Sequence, residues 1–266
     1  MTENLMNLWH PIASSDDVQY RHVFQGQLLG REFAVWRADD DFVNVWENRC
    51  LHRGVRLSIG LNEGLELRCQ YHGWRYASRS AGCTYIPAHP ADAPARTICN
   101  RTFPSVERYG LIWSGEDPAG EPPQIAALED SGTLLLRSIA VNAPIKVVLG
   151  HLANYRFSIT ADPDNVATTS IDYQDERSLS LTATSDGEES TVVFFVQPVD
   201  SNRSVIRGLL SSSPSGTERL PTLRHHSMEL SRLRDTVELE ALDGPSLEPM
   251  VATIEQDPIA LSEAVA

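Results

Sequence analysis

CLHRGVRLSIGLNEGLELRCQYHGW, residues 50–74, is the stretch on which the reading of this chain turns. It holds Cys50-x-His52, then sixteen residues, then Cys69-x-x-His72. Two short loops therefore each offer one thiolate and one imidazole. Zinc is the ordinary occupant of a Cys2His2 set, but zinc-finger spacing pairs Cys with Cys and His with His. A loop with one of each suits two adjacent iron atoms, one keeping two soft thiolates and the other two imidazoles. Gly54 and Gly73 follow closely after each His, where the backbone must turn sharply around a bulky group. At the level of residue types alone, zinc and a two-iron centre both stay open.

Bulk composition narrows the setting. The 266 residues are 41% hydrophobic, enough for one large domain or two ordinary ones with real cores. Net charge is −14 and the pI about 4.9, which argues against nucleic acid or an anionic membrane as partner. The opening MTENLMNLWHPIASSDD has no basic start and no long apolar run, and the longest apolar stretch, residues 192–196, is too short to span a bilayer. The expectation is a cytoplasmic protein, where paired Cys and His hold metal more often than disulfides form.

Along the chain, REFAVWRA and FVNVWEN alternate around Asp39, Asp40 and Asp41 and predict a hairpin over residues 31–48. CTYIP and TFPSVERYGLIWSG add short strands punctuated by Gly and Pro, as in a small all-β unit. GEDPAGEPPQIAALEDS, residues 115–131, is rich in Pro, Gly and acid and reads as a linker. Beyond it, LLLRSIAVN, TTSIDY, SLSLTATS, STVVFFVQPV and SVIRGLLSS predict strands. Residues 221–242 predict one helix with a loose apolar face of Leu223, Met228, Leu230, Leu233, Val237 and Leu242. The expected fold class is α+β: an N-terminal all-β domain over 1–118, a linker over 119–132, and an α+β domain over 133–266 made of an antiparallel sheet and a long C-terminal helix.

CLHRG, CQYHGW, YIPAHP and FPSVERYGLIWSG, with NLWHPIASSDD before them, resemble the Rieske domain of the Rieske non-haem iron oxygenases. The resemblance runs strongly over about residues 5–120. It implies a [2Fe-2S] cluster, with Cys50 and Cys69 on the inner iron and His52 and His72 on the outer, solvent-facing one. It also implies the oxygenase subtype, because high-potential Rieske proteins carry an extra, disulfide-bonded cysteine in each loop and neither loop here has one. Cys83 and Cys99 lie outside both loops and read as small buried apolar residues.

In that family the second domain is a helix-grip fold holding a mononuclear Fe(II) through two His and a carboxylate. No His pair after His72 has the spacing that one helical face requires; His89, His151, His225 and His226 are all that remain. VNAPIKVVLGHLANYRFSITADP resembles the iron-binding segment with its ligands changed: Asn154 stands for the bridging Asp, Phe157 for the first His and Asp162 for the second, still followed by Pro163. The resemblance thus points to a shortened, degenerate catalytic domain without its own mononuclear iron. His225 and His226 read as one exposed and one partly buried side chain, His151 as a hydrogen-bonded core residue, His10 and His89 as structural. Asp162, Asp164 and Asp172 read as a solvated acidic group, and Asp235 and Glu238 stand where the family's carboxylate ligand lies.

With no Gly-x-Gly-x-x-Gly and no phosphate loop, the chain offers no flavin or nucleotide site of its own. The function implied is a component of an oxygenase system acting on a small organic substrate by hydroxylation or demethylation, as in vanillate O-demethylase. Its implied partners are a flavin/iron-sulfur reductase, an oxygenase subunit that supplies the iron, and copies of itself in a trimer-like oligomer. The alternative is a stand-alone Rieske ferredoxin-like electron carrier.

Overall fold

The structure, a computed structural model, describes residues 5–90, 97–128, 132–157, 168–185, 188–214 and 216–243. Among the described residues the first part of the chain holds eleven strands: β1 (His10–Ser14), β2 (Phe24–Leu28), β3 (Arg31–Arg37), β4 (Val43–Glu47), β5 (Leu61–Asn62), β6 (Glu66–Arg68), β7 (Arg75–Ala77), β8 (Cys83–Tyr85), β9 (Thr102–Phe103), β10 (Ser105–Arg108) and β11 (Leu111–Ser114). They form three small antiparallel sheets, ordered β1-β11-β10, β2-β3-β4-β9 and β5-β6-β7-β8. The predicted hairpin is β3–β4, closed by Asp41 in the left-handed region at φ 65°, a conformation that Asp tolerates better than most residues. Alternation along it sends Trp36 and Trp46 to the same side, where they meet edge to face with centroids 5.1 Å apart. Around them pack Cys50, Leu67, Cys69, Tyr76 and Cys83, so the two cysteines of the opening stretch rest on an apolar floor.

The second part holds β12 (Leu134–Leu135), β13 (Ile139–Val141), helix α1 (Ile145–Leu152), β14 (Thr168–Asp175), β15 (Ser178–Ser185), β16 (Glu188–Pro198), β17 (Ser204–Leu210) and helix α2 (Arg219–Asp243). The six strands form one antiparallel sheet ordered β12-β17-β16-β15-β14, with β13 also on β17. The apolar run in β16 is explained by burial on both faces. Val192, Phe194 and Val196 pack under the helices with Leu152, Leu230 and Val237. Val193 and Phe195 point the other way and pack with Trp9, Tyr109, Leu111 and Trp113 of the first part, Phe195 meeting Trp113 edge to face at 5.0 Å. A strand covered on both sides reads as a continuous apolar run instead of an alternating one.

Polar contacts fix the same junction. Arg207 on β17 is buried, and its guanidinium donates to the carbonyls of Pro11 and Ile12, both at 2.8 Å, to Gln197 Oε1 and to Ser138 Oγ. Arg177 donates to the carbonyl of Trp9 at 2.8 Å, and the Leu29 and Gly30 N–H groups donate to Pro198 and Val199. The stretch read as a linker packs here too. Ile125 and Leu128 are buried in the same apolar cluster, the Ile125 N–H donates to Tyr109 Oη, and Trp9 Nε1 donates to the Gly120 carbonyl.

The architecture is α+β, with an all-β first part and a sheet-plus-long-helix second part, as expected. Helix α2 runs slightly beyond the predicted 221–242 and admits Pro221 in its first turn, where the missing N–H costs nothing. Its face differs at one position: Leu230 and Val237 are buried and Leu223 and Leu233 pack against the core, but Met228 is 53% exposed. Leu242 has no described side chain. Among the described residues no helix is long and apolar enough to cross a membrane.

Candidate metal centre

The two Cys/His loops have the same backbone geometry. In the first, the Cys50 N–H donates to the Val55 carbonyl at 2.8 Å and the Gly54 N–H returns to the Cys50 carbonyl at 2.8 Å. In the second, the Cys69 N–H donates to the Trp74 carbonyl at 2.8 Å and the Gly73 N–H returns to Cys69 at 3.1 Å. Gly54 and Gly73 sit at φ 70° and 71°, a left-handed conformation that a side chain would strain. Asn48 anchors the first loop from below: its Nδ2 donates to Ser58 Oγ and its Oδ1 accepts the Ser58 N–H at 2.7 Å.

These repeated turns sort the four side chains by depth. Cys50 and Cys69 are each only 3% exposed, and Cys50 is near enough to act electrostatically on the Cys69 thiol. His52 and His72 stand at the loop tips in solvent, their rings 4.7 Å apart and inclined at 62°. Trp74 stacks flat on His52 at 4.9 Å and 4°, and Tyr71 leans on His72 at 3.8 Å. Burial pushes the Cys69 thiol up; the N–H groups of Tyr71 and His72 pull it back, and Cys50 alongside raises it further. The His52 imidazole is held below its ordinary value, first by partial desolvation, then by His72 and Arg53. Tyr76, wholly buried, places its hydroxyl 3.2 Å from Cys50 Sγ, where it also accepts the Leu51 N–H at 3.3 Å.

The donor set fits a two-iron group better than a single ion. A zinc site would draw all four donors into one tetrahedron. Here the sulfurs pair below and the imidazoles pair above, and among the described residues no three His, Cys, Asp or Glu side chains close on a single-ion site.

Comparison with known proteins agrees. The Rieske [2Fe-2S] domain family matches residues 8–107. This chain carries a Rieske domain, and it is related to the Rieske non-haem iron oxygenases. Oxidoreductase NdmD of Pseudomonas putida is 47% identical over 151 residues, which span 55% of this chain and 26% of that protein. Methylxanthine N1-demethylase NdmA of Pseudomonas putida is 34% identical over 137 residues, 48% of this chain and 38% of that one. The matched stretch thus spans well under half of either relative. In three dimensions the likeness is longer: the Pseudomonas putida CBB5 NdmA structure superposes with a TM-score of 0.68 over 96% of this chain and 86% of that one, at 20% identity. The second part of this chain therefore shares the fold of an oxygenase chain, which that level of identity shows and no more. A Rieske domain implies a [2Fe-2S] cluster.

The other sequence candidates distribute as follows. Cys83 is buried beneath the Rieske loops, but Cys99 is exposed, contrary to its reading as a buried apolar residue; it lies across from Gly82 on an isolated bridge, at the outer edge of the small sheet. His10 is buried with Nε2 2.7 Å from the Leu5 carbonyl. His89 sits in an exposed turn, its N–H on the Ile86 carbonyl. His151 is not a core residue: it is partly exposed and pairs with Glu240 at 3.1 Å. His226 is 1% exposed and bonds Tyr155 Oη through Nδ1 at 2.7 Å, while His225 beside it is only partly buried. Asn154 donates to the Gly150 carbonyl. Phe157 is buried, its ring 5.5 Å from that of His226. Asp235 pairs with Arg234, and Glu238 accepts the Asn142 N–H. Asp172 is exposed on β14; Asp162, Pro163 and Asp164 lie outside the described residues. Sequence reasoning missed Tyr71, Trp74 and Tyr76; the aromatic spacing immediately before and after His72 was the available signal.

Proposed function

We propose that Cys50 and Cys69 hold one iron of the cluster and His52 and His72 the other, and that the chain is a one-electron relay in a Rieske oxygenase system. The observation that supports this most is the repeated loop geometry, which buries two thiols side by side and lifts two imidazoles, 4.7 Å apart, to the surface. When bound, a cluster of this type supplies a one-electron couple. The chain's own residues do the rest. The apolar floor of Trp36, Trp46 and Leu67 keeps water from the sulfurs. Tyr76 Oη and the N–H groups of Tyr71 and His72 supply hydrogen bonds to them. Trp74 and Tyr71 hold the two imidazole rings in place at the rim.

The donor in this reading is a flavin or iron-sulfur reductase. The acceptor is a mononuclear iron in a partner subunit, reached within a trimer-like oligomer. Support for a partner's iron comes from the residues at the place where the family segment aligns. Phe157 is a buried core ring stacked among Tyr155 and His226, and it offers no ligand atom. The substrate class follows the relatives by analogy: their names include a methylxanthine N1-demethylase and a toluene-4-sulfonate monooxygenase, so a small methylated or aromatic compound is the natural candidate. The test is co-expression with oxygenase subunits bearing an intact His pair, then substrate-dependent O2 consumption with a reductase present. Activity with a partner and none without it is the expected result. Product formation by the chain alone would restore an ordinary oxygenase; reduction of the cluster with no effect on any partner would leave a stand-alone carrier.

A further inference from the structure

Helix α2 turns one face to the core and the opposite face to solvent. Leu223, His226, Leu230, Leu233 and Val237 pack inward. Leu220, Arg224, Met228, Asp235 and Leu239, at helical spacing, form an exposed outward ridge about 28 Å long. The solvent face of a surface helix is ordinarily polar, yet Leu220, Met228 and Leu239 are 63%, 53% and 60% exposed. The charges of α2 also run against its own dipole. Residues 219–228 carry two arginines and no acid, and residues 235–243 carry four acids and no base. A lone helix is favoured by the reverse, with acids at its start and bases at its end. Among the described residues Arg224 makes no ion pair, and Asp235 pairs with its exposed neighbour Arg234.

We propose that the outward face of α2 is a contact between two copies of this chain, formed by antiparallel pairing of α2 with α2 about a twofold axis. The ridge is complementary to itself in that arrangement. Leu220 comes level with Leu239 of the second copy, Arg224 with Asp235 and Met228 with the small Ser231, and each pairing occurs twice because the axis exchanges the copies. The basic start of each helix then lies beside the acidic end of the other, which is how charge sets orientation between paired helices. Three apolar side chains per copy make a small interface, at or below the lower end of the roughly 1,200–2,000 Å² of a standard one, so the association is weak and reversible. The contact lies on the second part of the chain and stands apart from the relay reading. It doubles whatever assembly the chain otherwise forms.

The test is sedimentation velocity on the full chain from about 5 µM to about 500 µM, the range in which a weak contact forms. The mass should rise by a factor of two with concentration. Arg224→Asp turns two attractions into two repulsions and should weaken the association about tenfold, and Asp235→Arg should do the same. The double variant, Arg224→Asp with Asp235→Arg, restores both pairs with their signs exchanged and should associate within about threefold of wild type. Met228→Glu sets an unpaired charge at the centre of the face and should abolish the association. Far-UV circular dichroism should show all four variants folded, since every altered side chain is exposed. A wild-type mass that does not change over that range overturns the contact. So does a double variant that associates no better than either single one, because the two charges would then act within one chain and not between two.

Discussion

The Tyr76 hydroxyl lies 3.2 Å from Cys50 Sγ, in a setting where both side chains are buried. A hydroxyl donating to a thiolate favours the state with more negative charge on sulfur, which is the reduced state of an iron-sulfur centre. Tyr76→Phe should therefore keep the cluster and lower its reduction potential. A hydrogen bond whose strength differs by about 1 kcal/mol between redox states corresponds to about 40 mV for one electron. Protein-film voltammetry on the variant measures it; an unchanged or raised potential means that the hydroxyl does not donate to that sulfur.

Stability should fall with acid through His226. Burial, and then the neighbouring His225, lower its pKa from 6.5 to about 4. The unfolded chain takes up a proton near pH 6.5 and the folded chain does not until about pH 4. The stabilisation is therefore complete above pH 6.5 and is lost as pH falls towards 4, by up to about 3 kcal/mol. His10, also lowered to about 4 by burial, acts in the same window. Urea unfolding of wild type and His226→Gln at pH 7.5, 6, 5 and 4.5 should show a shallower acid loss in the variant, with His10's share remaining. Parallel curves would mean that His226 accepts its proton within the fold.

Arg207 ties the two parts of the chain together by hydrogen bonds to the Pro11 and Ile12 carbonyls, Gln197 and Ser138, with Asp17 as a weaker electrostatic neighbour. Burial lowers its pKa to about 10, so it stays charged at neutral pH. Arg207→Met strands the Pro11 and Ile12 carbonyls and Gln197 Oε1 in the interior, at a cost of about 3 kcal/mol. Denaturation should show that loss while the visible spectrum of the folded protein is unchanged, because Arg207 does not touch the Rieske loops. Equal stability would mean that water reaches the junction and satisfies those groups.

What the sequence made legible, and what it hid, divides along the range of the interactions. Cys50-x-His52 and Cys69-x-x-His72 could be read because each loop closes on itself, through a return bond from Gly54 or Gly73 that depends on local residues only. The β3–β4 hairpin and α2 were equally local, marked by period and by the Asp39–Asp41 turn. Tyr76 escaped notice because its role arises across the sheet, against a cysteine 26 positions away. The run at residues 192–196 announced a strand, but not that Val193 and Phe195 would bury against Trp9 and Trp113 while Val192 and Phe194 faced the helices. Met228 was read as part of an apolar helix face and Cys99 as a small buried residue, and yet both lie exposed. Phe157 was read as a substituted ligand; the structure adds that its ring is part of a packed core with Tyr155 and His226.

Iron and acid-labile sulfide, counted per chain on anaerobically purified protein alongside the reduced-state EPR spectrum, test the central claim most directly. The account predicts a red-brown protein with two irons and two sulfides, the content of a [2Fe-2S] cluster, and a Rieske-type signal that Cys50→Ser and His72→Ala each abolish. A colourless protein holding one zinc per chain through the same four residues would contradict it.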